Sequence, residues 1–303
     1  MGRVYVAPVS FGLGDLLVSL PAVQALVDRA RRDGDEVWLV ARSDTQARLA
    51  ERIGGLTGCV VEEAFDRDNA DGRVIDLRDH PLQRDYWWGS PEFEAAFGAL
   101  SINDILARIC ADFAIDADFT RPVPLRARSR PELHSTVLLV AATDGPSKCW
   151  PADRWAGLAS RVRDLGLETR VVTRDDAPGD LAIGDIDAAP APTPGDAVDV
   201  LNAARAVVGV DTGLTHIAAQ QGTPTVMICR DNTVFFRAWP HTRAVKGNRC
   251  DDACIAVERG YAYNARVDLR GFRWQPRPCP VGGRCLDAVQ IDDVMAALLQ
   301  VLE

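Results

Sequence analysis

The stretch Gly209-Val210-Asp211-Thr212-Gly213-Leu214-Thr215-His216-Ile217-Ala218-Ala219 decides the fold. An apolar run, Ala206 to Val210, ends in an Asp-Thr-Gly turn and opens into small and apolar residues suited to a helix. Strand, tight turn and helix N-terminus in that order mark a parallel α/β sheet. The first N–H groups of such a helix lack partners and sit at the positive end of its dipole, so the turn favours a phosphate or other anion. Thr212 adds a hydroxyl, Gly213 lets a ligand approach the backbone, and His216 projects from the same face one helical turn later. The same corner also occurs as plain structure, and the rest of the chain has to weigh the two readings.

Working outward, strand and helix signals alternate on both sides. Towards the N-terminus lie strand Glu168 to Thr173 and helix Asp196 to Ala204, separated by a Pro- and Asp-rich loop. Before them, the nearly all-apolar strand Thr136 to Ala142 ends in Thr143-Asp144-Gly145-Pro146-Ser147-Lys148, and a helix runs on to Leu165. Strand Pro224 to Cys229 follows the opening motif, and a helix, Ile291 to Leu302, closes the chain.

A separate series begins the sequence. Strand Arg3 to Ala7 leads into the Gly-rich turn Ser10 to Gly14, and Asp15 opens an amphipathic helix, Leu16 to Arg32. Strands at Glu36 to Ala41 and Arg73 to Leu77 flank a helix at Asp44 to Ile53. The acidic segment Glu62 to Asp71 reads as a solvated loop. Between the two series the Pro- and Arg-rich stretch Phe119 to Leu133 reads as a linker. The expectation is two Rossmann-like domains facing across a cleft, residues 1–125 and 126–289, with a Cys-rich insertion at 247–287 and the helix of 290–303 closing the chain. Ligands in such sheets bind beyond the carboxyl ends of the strands, and Asp15, Lys148 and Thr212 all fall there.

Composition narrows the function. A chain of 303 residues with 47% hydrophobic and 25% charged residues suits two globular domains. A net charge of -9 argues against nucleic acid as partner. No long apolar segment suggests a signal peptide or membrane span, so the expected location is cytoplasmic.

Single residues carry paired readings. Asp15 is either a helix cap or a carboxylate at the mouth of the cleft, able to act as a base. Of the 34 basic residues only Lys148 and Lys246 are lysine, so Lys148, in a turn between strand and helix, is either a surface group or an ammonium for a diphosphate. Tyr86, Trp87 and Trp88 either pack under a loop or offer a face to a sugar or base on the acceptor side. His80 reads as structural or simply exposed. Cys250, Cys254, Cys279 and Cys285 cluster with three residues inside the first pair, five inside the second and 24 between the pairs. They could bind zinc or iron, form disulfides or stay as thiols. Gly12 and Gly14 hint at a nicotinamide dinucleotide, but position 17 is Leu, so that fingerprint is incomplete.

Three segments together resemble the heptosyltransferase-like glycosyltransferases (glycosyltransferase family 9), which include the ADP-heptose:lipopolysaccharide heptosyltransferases. They are Gly14-Asp15-Leu16-Leu17-Val18-Ser19-Leu20-Pro21-Ala22, Lys148-Cys149-Trp150-Pro151 with Arg154-Trp155, and Asp211-Thr212-Gly213-Leu214-Thr215-His216. The resemblance implies a GT-B fold whose C-terminal domain binds a nucleotide-diphosphate sugar, commonly ADP-heptose. It implies Asp15 as catalytic base, Thr143 and Lys148 at the diphosphate, and Asp211, Thr212, Gly213 and His216 at the phosphates and donor sugar. Gly14, Trp87 and Trp88 fall on the acceptor side. Inverting transfer to a hydroxyl or amine of a small natural product or glycan would need no metal, since an ammonium and aligned N–H groups can stabilise the leaving group. The Cys-rich segment resembles one in relatives with bound iron, which makes a structural metal one of the readings of the four cysteines. A non-catalytic nucleotide-sugar-binding protein of the same fold is the competing expectation.

Overall fold

The computed structural model describes residues 2–80, 101–143, 148–174, 183, 185–230, 237–247 and 285–303. The elements are β1 (Arg3–Ala7), α1 (Leu13–Asp33), β2 (Glu36–Ala41), α2 (Asp44–Ala50), β3 (Gly58–Val61), β4 (Arg73–Asp76) and α3 (Ile102–Asp112). After a stretch that holds one short 3-10 turn, Pro131–Leu133, come β5 (Thr136–Val140), α4 (Ala152–Asp164), β6 (Glu168–Thr173), β7 (Asp187–Pro190), α5 (Pro194–Ala203), β8 (Ala206–Val210), α6 (Gly213–Gln220), β9 (Thr225–Cys229), β10 (Thr242–Lys246) and α7 (Ile291–Leu302).

Two sheets result. The first has the order β3-β2-β1-β4 and the second β10-β9-β8-β5-β6-β7, with parallel pairing throughout. This is the doubly wound order of a Rossmann-like unit, complete in the second sheet and begun in the first. Together they make the two-sheet α/β architecture of a GT-B fold. The order reverses between β1 and β4 in one sheet and between β5 and β8 in the other. The crevice beyond the strand ends at each reversal is where ligands bind.

All five residues of β5, β8 and β9 are buried, which explains their unbroken apolar runs: helices cover both faces of a parallel sheet. One continuous core joins the first sheet and its helices to α5, α6 and the inward residues Leu138, Val140 and Val207 of the second sheet. A second core packs α4 and α7 on the far face of the second sheet. The halves are also tied by polar contacts. Arg52 grips Asp199 of α5 with two nitrogens, each at 2.9 Å, and Asp199 also accepts the Arg128 amide at 2.7 Å. Gln221 accepts the Leu125 amide at 2.6 Å and donates to the Leu125 carbonyl at 3.1 Å. The Arg126 amide donates to the Arg52 carbonyl at 2.7 Å, so the stretch read as a linker is strapped to both halves.

Several elements differ from expectation. Helix α1 starts at Leu13, three residues early, so Asp15 lies in the first turn instead of opening the helix. Strands β3, β7 and β10 were not expected; each is a short edge or near-edge strand with little apolar pattern. The acidic loop is not merely solvated. Glu62 pairs with Arg42 and Arg78, and Arg67 with Asp76, because these chains converge beyond the ends of β2 and β4. No described helix is long and apolar enough to cross a membrane.

Candidate active site

The N-terminal turns of α1 and α6 meet at the switch points of the two sheets. Gly213 abuts Leu13, where a Cβ would come 2.9 Å from the Leu13 Cβ, and at Gly14 a Cβ would lie 3.5 Å from His216 Cδ2. The close approach that Gly213 permits is therefore filled in this structure by Leu13.

Asp15 sits at the third position of α1 and its Oδ2 accepts the Gly12 amide at 2.8 Å. The capping geometry is thus present, because a carboxylate one turn into a helix can reach back to the first free N–H. Its main-chain carbonyl accepts the Ser19 hydroxyl at 2.7 Å. Burial pushes the Asp15 carboxyl above the usual carboxylate range, against the opposing pull of the Gly12 amide and the charges of His216, Lys148 and Arg42.

On the facing side the Asp211 carboxylate holds two groups. Lys148 Nζ lies 2.9 Å from Oδ2, and His216 Nε2 lies 3.2 Å from Oδ1. Lys148 Nζ also approaches the Asp211 carbonyl at 3.4 Å. Burial alone would raise the Asp211 carboxyl, but the His216 hydrogen bond and the Lys148 and His216 charges outweigh it and hold it well below the usual range. Thr212 is the N-cap residue of α6, yet its side chain makes no cap bond. Thr143, half-buried, lies three residues past β5 on the other side of the same reversal. In place of Thr212, Thr215 braces the turn, donating to the Val210 carbonyl at 2.7 Å.

The structure thus brings Gly14, Asp15, Lys148, Asp211, Gly213 and His216 together. Trp87, Trp88, Cys250, Cys254 and Cys279 lie outside the described residues; Cys285 is buried. Among the described residues no group of three or more His, Cys, Asp or Glu side chains is placed to hold a metal. The rest of the segment around Lys148 is structural. Trp150 donates to the Val289 carbonyl at 3.1 Å, Arg154 reaches the same oxygen, and Trp150 meets Trp155 edge-on at 5.0 Å. His80 faces Asp112 at 2.8 Å. Sequence reasoning missed Arg42, buried directly after β2 and bonded to the Pro8 carbonyl at 2.6 Å. Its position at a strand's carboxyl end was the available signal.

Residues 107–256 match the family model for glycosyltransferase family 9 (heptosyltransferase). The match spans Lys148 and the turn of Asp211 to His216, and stops short of Asp15. No curated protein matches the sequence. Among solved structures, the chain is similar to a family 9 glycosyltransferase from Veillonella parvula (TM-score 0.66, 14% identity, 99% of this chain and 97% of that one). It is similar to the iron-containing dodecameric heptosyltransferase TibC from E. coli, solved with ADP-D-beta-D-heptose (TM-score 0.63, 15% identity, 99% and 76%). It is also similar to the E. coli ADP-heptose lipopolysaccharide heptosyltransferase II (TM-score 0.58, 17% identity, 99% of each chain).

Proposed function

We propose that this chain, a glycosyltransferase of the heptosyltransferase family by the match over residues 107–256, is an inverting enzyme that moves heptose from ADP-heptose to an acceptor hydroxyl or amine. The acceptor belongs to a small natural product or a glycan. The observation that carries this reading is the meeting of the α1 and α6 turns, which sets Asp15 across from Lys148, Asp211 and His216.

Asp15 acts as general base, taking the acceptor proton as oxygen or nitrogen attacks the anomeric carbon from the side opposite the leaving group. A carboxyl raised by burial is a better base than an ordinary one, which favours this role. The departing ADP gains negative charge, and the Lys148 ammonium with the free N–H groups at the start of α6 stabilises it. Asp211 keeps Lys148 and His216 in place, and Thr143 and Thr212 offer hydroxyls to the phosphates. Trp87 and Trp88 are proposed for the acceptor side, and the domain limits at 125 and 289 and a cytoplasmic location belong to the same reading.

For the four cysteines we carry a structural zinc or iron as a proposal. Gly247 packs directly on the Cys285 carbonyl, so the described residues on either side of the segment that carries Cys250, Cys254 and Cys279 meet. A metal there would tie the segment together and takes no part in transfer.

Calorimetric titration with ADP, UDP and GDP in parallel tests the reading. Selective ADP binding followed by turnover of ADP-heptose supports it. Preference for UDP or GDP keeps a transferase and removes heptose; no binding of any moves the chain to a non-catalytic interaction protein.

A further inference from the structure

Helix α1 contains Pro21 in its interior. A proline has no N–H, so the carbonyl of Leu17, four residues earlier, is left without its helical partner. Arg237, between β9 and β10, reaches that carbonyl from the other half of the molecule: its Nη2 lies 3.5 Å from Leu17 O.

Arg237 is an unusual group to find there. It is only 3% exposed, its guanidinium lies 5.1 Å from the centre of the Trp239 ring, and among the described residues its Nη1 has no hydrogen-bond partner. Among the described residues no carboxylate pairs with it. Burial alone pushes its pKa down to about 10. Buried charges without an acid partner are poor sources of stability, and an apolar side chain of similar length commonly serves packing as well or better. What the arginine does that an apolar chain cannot is donate to Leu17 O. Leu17 lies two residues after Asp15 on the same helix.

We propose that Arg237 is a positioning residue for glycosyl transfer, docking on the carbonyl that Pro21 leaves open and thereby fixing the Asp15 turn of α1 against the donor-side sheet. The proposal rests on Asp15 being the base. Pro21 and Arg237 form one device split between the two halves: the proline opens an acceptor and the guanidinium takes it. Binding of ADP, which uses Lys148 and the α6 turn, does not depend on it.

The test is a set of variants assayed for kcat and for ADP affinity. Arg237→Met should lower kcat about tenfold or more while ADP affinity stays within about twofold and the unfolding midpoint does not fall. Arg237→Lys, which retains a donor, should recover part of the loss. Pro21→Ala supplies the missing N–H to Leu17 O, so adding Arg237→Met to it should cause no further loss. Unchanged kcat in Arg237→Met, a parallel loss of ADP affinity, or independent effects of the two substitutions would overturn the proposal. A wild-type protein that turns over no donor overturns the enzyme reading and with it the positioning of a base. The same Pro21 and Arg237 cycle read in denaturant unfolding then decides the contact alone: coupling retains it, and additivity removes it.

Discussion

Lys148 Nζ lies 2.9 Å from Asp211 Oδ2, so the ammonium expected at a diphosphate is held by a carboxylate before any ligand arrives. Asp211 thereby fixes the side chain at the mouth of the β5 and β8 reversal and lowers the entropy lost when phosphate binds. Lys148→Ala should weaken ADP binding by about tenfold to a hundredfold, as expected for one charge-assisted contact. Calorimetry on the purified variant checks it; unaltered affinity would remove Lys148 from the donor site.

The same pair makes stability depend on pH. Asp211 is held below its ordinary pKa in the folded protein, so its contribution is full above the unfolded value of about 3.9 and fades as pH falls through the lower folded value. Asp211→Asn should cost about 1–3 kcal/mol at pH 6, less than a fully buried pair because Lys148 is about a third exposed. The difference from wild type should shrink below pH about 4. Denaturant melts across that range measure it, and a difference that stays constant down to pH 3 would contradict the assignment.

Asp15 carries the opposite sign. Burial raises its folded pKa, so ionisation at neutral pH works against folding, and the stability tied to the protonated form is lost as pH rises through that raised value. Asp15→Asn keeps an oxygen for the Gly12 amide and removes the charge. It should therefore melt at the same or a higher temperature than wild type at pH 7, bind ADP normally and lose turnover by about two to four orders of magnitude. The acid limb of the wild-type kcat/KM profile should lie above the ordinary carboxylate range. Turnover within threefold of wild type would exclude Asp15 as base.

Arg52 and Asp199 join the two halves through two 2.9 Å bonds, and Asp199 is buried. Arg52→Ala leaves that carboxylate, among the described residues, with the Arg128 amide alone, at an expected cost of about 2–4 kcal/mol. Arg52→Ala with Asp199→Ala should be less damaging than the sum of the two. Urea denaturation of the four proteins gives the coupling, and strictly additive effects would mean that the pair does not tie the halves.

Gly213 has no room for a methyl group because Leu13 fills the space. Gly213→Ala should push the first turn of α1 away from α6 and lower kcat several-fold, at about 1–3 kcal/mol in stability. Leu13→Ala in the same chain should restore much of both. Failure of the rescue would show that Gly213 is needed for the ligand and not for the contact between helices.

What the sequence by itself determined was set by local rules. Apolar runs such as Ala206 to Val210 and Thr136 to Ala142 mark buried parallel strands within a residue or two, because a strand covered on both faces has no polar alternation. The Asp211 to His216 turn and the Gly-rich loop before Asp15 were legible for the same reason: strand, turn and helix start are neighbours in the chain. Edge strands β3, β7 and β10 were not, since half-exposed strands carry weak patterns. Only the tertiary structure decided which groups meet. The grip of Asp211 on Lys148, of Arg52 on Asp199 and of Arg237 on the Leu17 carbonyl joins residues dozens to hundreds of positions apart. Such partners are chosen by how sheets and helices stack, where hydrogen-bonding groups must be paired once buried, and no local pattern encodes that choice.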